Sequence, residues 1–446
     1  MRAFFLISVA IWSWLAAGCS SPQVNGVKAI VGATLIDGQG GAPIPESIVL
    51  IEKGIVKAAG SRANVGIPAG AEKIDGTGKF LVPGLIDLHV HLGAKAGPQF
   101  VATDYTRDRV ARSLNAYLYY GVTSVRSVGT EREAGFEIRQ AQRSGSVAGA
   151  RLFTAGRGFT CTNGHPSQEV GGIARQVDHP DQAREQVREL AAQQVDLIKM
   201  WVDDRLGQSP KIRPEVSAAI SDEARRHNIP VVAHIRTLAD TQHLLAAGVS
   251  GFLHMIRDTE DLPRPLIDQV LAKNIVFTPT LIRQELAWLY REHPDRLRDA
   301  DLERTLEAGV IEAVRADTQN REATPVARKE FDIAMRNTRR MAAAGVAIGV
   351  GSDGGSSNDF PGAMTHREIE LLVQAGFSPS EAVVAATRNG ALALGKANEF
   401  GTIEAGKRAD LLLLSADPLA NVANLRRIER LMFDGEWVDR SRLTVR

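Results

Sequence analysis

The hydrophobic pattern of the chain changes character near residue 80. Residues 28–80 contain short apolar runs rich in β-branched residues, separated by turn signals such as Lys53-Gly54. A similar β pattern returns in residues 400–446. We therefore predict one small β-sandwich-like domain that is built from both ends of the chain.

Between these ends, buried-looking strands alternate with amphipathic helical stretches over residues 81–399. Such alternation is typical of parallel βα units. The strand candidates are residues 85–91, 123–129, 151–156, 195–201, 230–235, 251–255, 275–280 and 346–353. Eight units over about 300 residues predict an α/β fold of the (β/α)8 TIM-barrel type. A doubly wound open sheet is the alternative, but no Gly-x-Gly-x-x-Gly fingerprint follows the first strand to support it.

One connection in this region is much longer than the others. Residues 283–338, after the seventh strand candidate, are charged and mostly helical in pattern. A long excursion on the carboxyl side of a barrel strand is typical of a lid or an oligomer contact. We therefore predict a helical insertion around 283–338 and a homo-oligomeric protein.

Composition and charge narrow the class of partner. Hydrophobic residues make up 44% of the 446 residues and charged residues 24%, as in ordinary soluble globular proteins. The formal net charge is +1, and no run of like charge occurs. Nothing in the sequence therefore indicates a nucleic-acid partner or a polybasic membrane patch, and we expect a small-molecule or dipeptide substrate.

The amino terminus has the pattern of a secretion signal. Arg2 precedes an apolar run over residues 4–15, which is too short to span a bilayer and is followed by small residues. The segment resembles a bacterial lipoprotein signal, in which residues 1–18 are removed and Cys19 is lipidated. We expect a periplasmic protein with residues 19–27 as a tether, held by its lipid at the outer membrane and touching membrane only there. Cleavage by the general signal peptidase, giving a soluble secreted or periplasmic protein, is the alternative.

Polar residues occupy the carboxyl ends of several predicted strands, where the active sites of (β/α)8 enzymes lie. The first strand ends in two histidines one residue apart, and side chains alternate in a strand, so both point to the same side. The fourth strand contains a lysine among apolar residues, and a buried lysine is costly as a cation. The predicted ring of site residues is His89, His91, Lys199, His234, His254 and Asp353. Paired imidazoles on one face can hold a metal ion.

The motifs around this ring resemble those of the metal-dependent amidohydrolase superfamily. The likeness covers nearly all of the chain after the signal. It rests on the opening Leu81-Val82-Pro83-Gly84-Leu85-Ile86-Asp87-Leu88-His89-Val90-His91 and the closing Gly401-Thr402-Ile403-Glu404-Ala405-Gly406-Lys407-Arg408-Ala409-Asp410-Leu411. Within the superfamily the chain is most similar to the imidazolonepropionase-like branch, which includes dipeptidases that act on Xaa-Pro, Xaa-Lys and Xaa-Arg substrates.

The resemblance implies that the site holds two divalent metal ions. The first would be bound by His89 and His91, with Asp353 as a further ligand. The second would be bound by His234 and His254. Histidine and oxygen ligands without a thiolate suit zinc, with manganese, cobalt or iron as alternatives.

The resemblance also implies that Lys199 carries a carboxyl group derived from CO2 and bridges both ions. Two cations beside Lys199 disfavour its ammonium form, and the neutral amine can react with CO2 to give an anion that metals stabilise. A water shared by the metals would lose a proton near neutral pH and act as the nucleophile. Asp353 would take that proton and pass it to the leaving nitrogen. A salt bridge from Lys199 to an acid of the barrel, with a single-metal site, is the alternative.

Three further residues are candidate substrate contacts. His165 lies in a loop after the third strand that is expected to reach the mouth of the site, and relatives carry a matching histidine there. Arg236 and Arg257 follow His234 and His254 closely, so either could bind a substrate carboxylate through paired hydrogen bonds.

Taken together, the pattern and the resemblance predict a metal-dependent hydrolase that cleaves a C–N amide bond in a dipeptide or an N-acyl amino acid. The same binuclear site acting on a lactone, a cyclic amide or a phosphotriester is the alternative activity. A barrel retained as a binding protein is the non-enzyme alternative. Ile235-Arg236 and Leu253 stand where relatives carry other residues, which leaves the substrate open.

Overall fold

The computed structural model describes residues 26–93, 97–99, 105–167 and 172–445. The predicted signal, residues 1–18, and the predicted lipidation site Cys19 lie outside these residues. Within the described ranges, no helix is both long enough and apolar enough to cross a bilayer.

Strands and helices alternate over most of the described chain. The strands are β1 (Val27–Leu35), β2 (Ile44–Glu52), β3 (Ile55–Ser61), β4 (Glu72–Asp75), β5 (Phe80–Pro83), β6 (Leu85–Val90), β7 (Val122–Ser127), β8 (Arg151–Thr154), β9 (Phe159–Thr160), β10 (Arg175–Gln176), β11 (Ile198–Trp201), β12 (Val231–His234), β13 (Gly251–Leu253), β14 (Val276–Thr278), β15 (Leu411–Leu414), β16 (Ile428–Phe433) and β17 (Glu436–Val438). The helices are α1 (Arg107–Tyr119), α2 (Glu133–Arg143), α3 (Pro180–Ala192), α4 (Pro214–Arg226), α5 (Leu238–Ala246), α6 (Arg264–Ala272), α7 (Leu281–Glu285), α8 (Leu289–Glu292), α9 (Ala300–Thr305), α10 (Val310–Thr318), α11 (Pro325–Ala343), α12 (Ala363–Gln374), α13 (Pro379–Ala386) and α14 (Arg388–Ala393). Short 3-10 turns occur at Pro294–Arg298, Val422–Arg426 and Arg440–Arg442.

Strands from both ends of the chain belong to one eight-stranded sheet. Its order is β17-β16-β15-β5-β1-β2-β3, and β4 also pairs with β1. The two ends meet where β15 pairs antiparallel with β5. Lys53 (φ 51°) and Gly54 (φ 78°) form the predicted tight turn between β2 and β3, and a turn of this kind requires positive φ at both positions. The division of this sheet from the rest of the chain as a separate domain stays a prediction.

The strands from β6 to β14 are parallel and lie in two sheets. One sheet has the order β6-β7-β8, and the other has the order β10-β9-β11-β12-β13-β14. Helices connect successive strands as the sequence pattern predicts, for example α4 between β11 and β12 and α5 between β12 and β13. The arrangement is α/β and resembles a TIM barrel, and it brings the carboxyl ends of the strands to one side.

The predicted eighth strand, residues 346–353, is not a regular strand. It makes a single bridge to β14 through Ile348, and Gly354, directly after the segment, makes a single bridge to β6. A Cβ at Gly351 would lie 2.3 Å from the Cγ2 of Thr278, so only glycine permits this close approach. Glycines weaken a regular strand because they offer no side chain to pack. The segment nevertheless runs against both neighbours and carries its last residues to the carboxyl end of β6.

The excursion between β14 and this segment is helical, and α11 is its longest element. The hydroxyl of Thr324 caps the helix by accepting the N–H of Ala327, and Pro325 opens the first turn. Its buried Asn337 donates through Nδ2 to the carbonyl of Ile256, just beyond β13 (2.8 Å). Helix α11 is therefore fixed against the carboxyl side of the parallel strands.

Candidate active site

A cavity of about 330 Å³ lies at the carboxyl ends of the parallel strands. Five of the six predicted site residues line it: His89, His91, His234, His254 and Asp353. A ring nitrogen of His89, a ring nitrogen of His254 and a carboxylate oxygen of Asp353 all lie within 4.8 Å of one another. Strands that are far apart in sequence thus bring potential ligand atoms close enough to share an ion.

His89, His91 and Asp353 form the first half of the site. The Oδ1 atom of Asp353 lies 3.2 Å from His89 Nε2 and 2.9 Å from His91 Nε2. The opposite ring nitrogens contact threonine hydroxyls, with His89 Nδ1 3.0 Å from Thr280 and His91 Nδ1 3.3 Å from Thr130. Each ring is therefore held at both ends, and both Nε2 atoms face the same carboxylate.

Burial and charge in the first half of the site favour the protonation states of His89 and Asp353 that can bind a metal ion. Burial lowers the pKa of His89 well below its ordinary value, although Asp353 opposes this shift. Burial alone would raise the pKa of Asp353, but the attraction of His89 and the hydrogen bond and charge of His91 hold it below its ordinary value. An ionised carboxylate beside an unprotonated ring nitrogen is the form that binds a divalent metal ion.

Three residues of the site have left-handed backbone conformations. The φ angles are 65° at His254, 52° at Thr280 and 68° at Asp353. Such angles are uncommon for residues other than glycine and most unusual for a β-branched threonine. Backbone strain of this kind persists where the surrounding structure enforces it, and it clusters at functional sites.

Lys199 lies on β11 and is fully buried. Its Nζ has no hydrogen-bond partner among the described residues, so the hydrogen-bonded salt bridge considered as an alternative is not found there. The Nζ atom lies 5.0 Å from the ring centroid of Trp201. Burial lowers the pKa of Lys199 to about 7, against the opposing charge of Asp353. Since an unpaired buried ammonium is costly, this environment favours the neutral amine.

His234 and His254 form the second half of the site together with Lys199. Their ring centroids lie 4.2 Å apart, and His254 lies 5.0 Å from the ring of His89 in the first half. Burial lowers the pKa of His254 well below its ordinary value and that of His234 to about 4, so both are neutral at pH 7. Among the described residues, the buried Nδ1 of His254 has no hydrogen-bond partner.

The donor set fits divalent metal ions on chemical grounds. It combines imidazoles with an ionised carboxylate and contains no thiol, a combination that suits zinc. A buried polar atom without a partner calls for an explanation such as an ion. The unpartnered atoms of Lys199 and His254 meet that criterion in the second half of the site.

Asp203, which the sequence analysis missed, contacts a predicted ligand. Its Oδ2 lies 3.0 Å from His234 Nε2 and 3.3 Å from Nη2 of Arg257, and its Oδ1 accepts the backbone N–H of Arg205 (2.8 Å). Burial would raise the pKa of Asp203, but the hydrogen bond and charge of His234 and the charge of Arg257 hold it below its ordinary value. Asp203 follows β11 by two residues, so the strand-end rule that found the other site residues could have found it.

The predicted substrate contacts Arg236 and Arg257 line the cavity beside Glu330 of α11. Glu330 Oε1 accepts hydrogen bonds from Nε (3.1 Å) and Nη2 of Arg236, and Oε2 lies 3.4 Å from Nε of Arg257. One carboxylate from the excursion therefore holds both arginines in the wall of the cavity. A glutamate on a charged helix has no distinguishing mark in the sequence, and Glu330 was not predicted.

His165, the third predicted substrate contact, lines the same cavity. Its ring centroid lies 5.4 Å from that of His234, and the hydroxyl of Thr160 donates to its carbonyl oxygen (2.6 Å). Burial, followed by the charge of His234, lowers the pKa of His165 to about 3, so the ring is neutral at pH 7. All three predicted substrate contacts thus share one cavity with the predicted ligands, and their roles in binding stay predictions.

The sequence of this chain matches the profile of a known protein family. The profile of the Amidohydrolase family matches residues 80–438. The chain belongs to this family. The amidohydrolase is also 23% identical over 389 residues to the imidazolonepropionase of Porphyromonas gingivalis, covering 82% of each chain. Family and relatives together make it a hydrolase that acts on C–N bonds.

Solved structures similar to this amidohydrolase share its fold. A crystal structure of a Xaa-Pro dipeptidase with bound methionine in the active site aligns with a TM-score of 0.75 at 22% identity, covering 93% of this chain and 100% of that chain. Molinate hydrolase aligns with a TM-score of 0.72 at 24% identity, covering 94% and 96% of the two chains. At these identities the likeness concerns the α/β fold, and these neighbours support its TIM-barrel-like character.

Proposed function

We propose that this amidohydrolase cleaves the C–N amide bond of a dipeptide or an N-acyl amino acid with the help of two divalent metal ions, zinc in the first instance. The observation that carries the proposal is the buried, unpartnered amine of Lys199 beside four histidines and one aspartate of the same site. The residues that would hold the ions are His89, His91, His234, His254, Asp353 and a carboxylated Lys199. When bound, the ions would make the attacking water more acidic and polarise the scissile carbonyl.

Lys199 contributes through its neutral amine. A pKa of about 7 leaves a large fraction of the amine uncharged at neutral pH. The amine nitrogen attacks the carbon of CO2 and loses a proton, which yields a carbamate with one negative charge. The carbamate places an anion beside the imidazoles of the second half of the site, where the ammonium form of the lysine is destabilised.

Asp353 is suited to move a proton because its two oxygens have different surroundings. Oδ1 faces the ring nitrogens of His89 and His91, whereas Oδ2 lies 3.6 Å from Nε of Arg283. The pKa of this carboxyl lies below its ordinary value, so the group is ionised at neutral pH and its oxygens are acceptors. Oδ2 would take the proton from the attacking water and deliver it to the leaving nitrogen.

The charge of the cavity wall favours a substrate with a carboxylate. The cationic lining residues are Arg205, Arg236, Arg257 and Arg283, and the anionic ones are Asp203, Glu330 and Asp353. Once Asp353 is committed to the metal ions, cations outnumber the remaining anions. Arg236 and Arg257 would bind the carboxylate of the leaving amino acid, and His165 would contact the acyl side.

Paired substrates test this proposal. N-acyl amino acids and dipeptides are compared with the same compounds whose carboxylate is amidated, in the presence of zinc and bicarbonate. We expect faster hydrolysis of the substrates with a free carboxylate. Arg236→Ala should raise KM for these substrates, and not for the amidated ones, by roughly 10- to 100-fold, because it removes a charge-assisted hydrogen-bonded pair. Arg264→Ala, which removes an exposed partner of Asp268 on α6, is the control. Faster turnover of lactones, cyclic amides or phosphotriesters would contradict the amide proposal and favour that alternative.

We further propose a periplasmic, lipid-anchored protein, on the strength of the pattern over residues 1–19. The full chain should incorporate labelled palmitate and sediment with membranes, and Cys19→Ser should do neither. Palmitate labelling that persists in the variant would contradict the anchor. Homo-oligomerisation, proposed from the excursion, is tested by the mass of the purified protein in solution.

A further inference from the structure

We infer that Asp203 is a positioning residue that fixes His234 in the tautomer whose Nδ1 is free to bind a metal ion. The inference rests on the proposed function, because it takes His234 as a ligand of the second ion. Its basis is the contact of 3.0 Å between Asp203 Oδ2 and His234 Nε2.

The protonation of His234 follows from the partners of Asp203. The carboxylate receives three donors: His234 Nε2, Nη2 of Arg257, and the backbone N–H of Arg205. An ionised carboxylate can only accept, so the proton of a neutral imidazole must sit on Nε2. Nδ1 then carries the lone pair.

Among the described histidines of the site, the hydrogen bond from the far side of the ring to a carboxylate is found in the second half. The Nδ1 atoms of His89 and His91 contact neutral threonine hydroxyls and not a carboxylate. The hydroxyl of Thr280 donates its proton to the carbonyl of Thr278, and that of Thr130 donates to Glu131, so both can only accept from the rings. The Nδ1 of His254 has no hydrogen-bond partner among the described residues. A histidine ligand that donates its second N–H to a carboxylate is oriented and made more basic, which strengthens its bond to a metal ion.

Asp203 also joins the metal side of the cavity to the substrate side. Arg257, which binds Asp203, donates through Nη1 to the carbonyl of Ile235 (2.9 Å) and contacts Glu330 on α11. Glu330 in turn holds Arg236. Contacts between buried and half-buried side chains therefore run without interruption from a predicted metal ligand to both predicted carboxylate-binding arginines.

A titration of the metal-free full chain with Co2+ in bicarbonate tests the inference, read by visible absorption and by equilibrium dialysis. We expect wild type to bind two equivalents. Asp203→Ala and the nearly isosteric Asp203→Asn should leave the first equivalent unchanged, weaken the second roughly 10- to 100-fold and alter its spectrum. In the asparagine variant the amide N–H2 can face Nε2, which places the proton on the wrong nitrogen.

Asp410→Ala is the matched control. Asp410 is buried like Asp203, pairs with Arg151 (3.0 Å) and accepts the backbone N–H of Asp434 (2.9 Å), but it does not line the cavity. This variant should bind both equivalents as wild type does. If Asp203→Asn retains the wild-type affinity and spectrum of the second equivalent, the inference is overturned and the proposed function stands. If wild type itself binds fewer than two equivalents, the two-metal proposal fails instead.

Discussion

The two halves of the site differ in how far the protein satisfies its own polar atoms. In the first half, Asp353 contacts both His89 and His91, and a threonine hydroxyl contacts the far side of each ring. In the second half, within the described residues, the Nζ of Lys199 and the Nδ1 of His254 have no hydrogen-bond partner. In the first half each ring nitrogen has a polar partner within the protein. In the second half two buried polar atoms lack such a partner in the described part of the chain, which an added group could provide.

The halves also differ in charge. Asp353 brings a negative charge into direct contact with both histidines of the first half. In the second half the neighbouring carboxylate, Asp203, is hydrogen-bonded to His234, so that ring nitrogen is not available to an ion. Lys199 in its neutral form adds no charge. Since a divalent ion needs anionic partners, we expect the second ion to depend on carboxylation of Lys199 and the first ion to bind without it.

The largest expected effect comes from removing the amine of the second half. Lys199→Ala should lower turnover by at least roughly 10⁴-fold, as loss of one member of a catalytic unit does, and should remove one metal equivalent. Lys211→Ala, which removes a partly exposed lysine paired with Asp240, is the control and should keep both. Wild-type turnover by Lys199→Ala would show that the second half does not take part in catalysis.

A somewhat smaller effect is expected on the stability of the metal-free protein. Below about pH 7, Lys199 is charged in both the folded and the unfolded chain, so the full cost of burying its charge is present. Between pH 7 and the ordinary value of 10.5 only the unfolded chain keeps the proton, so stability rises with pH. Lys199→Met should therefore raise the free energy of unfolding by up to about 5 kcal/mol below pH 7, and the gain should fade towards pH 10.5.

Denaturant unfolding at several pH values, after treatment with a chelator, measures this gain. The same substitution should lower stability when metal ions and bicarbonate are present, because the second ion is then lost. A gain that grows with rising pH, or no gain at any pH, would contradict the buried and unpartnered amine.

The smallest effects are expected from the threonines of the first half. Thr280→Val and Thr130→Val keep the β-branched shape but remove the hydroxyls beside His89 and His91. Each loss should weaken the first metal equivalent by about 1 kcal/mol, or roughly fivefold, with the larger change at the closer Thr280. Dialysis against Co2+ resolves this change, and an effect confined to the second equivalent would contradict the assignment of the halves.

The ring of site residues could be predicted from the sequence because of one simple rule. His89, His234 and His254 lie within one residue of the ends of β6, β12 and β13, and strand ends converge in this fold. Lys199 stood out because a cation interrupts an apolar strand. The local sequence pattern around such residues predicts where they lie in the fold, so the approximate fold and the ring could be predicted together.

Other features could not be predicted because they depend on contacts between distant segments. Glu330 lies on a charged helix, and only the docking of α11 on the carboxyl side of β13 brings it to the cavity. The left-handed backbone of Thr280 is imposed by the surrounding structure against its own preference. The irregular segment over 346–353 could have been anticipated, since Gly349 and Gly351 interrupt its apolar run.

The dependence of the second ion on CO2 is tested most directly by metal content measured with and without bicarbonate. Metal-free protein is loaded with zinc in CO2-free buffer or with 13C-bicarbonate, and each sample is analysed for bound metal and for a carbamate signal by 13C NMR. We expect one tight equivalent of zinc without bicarbonate, two with it, and a carbamate signal that Lys199→Ala lacks. Two tight equivalents in CO2-free buffer, or two equivalents with no carbamate signal, would contradict this dependence.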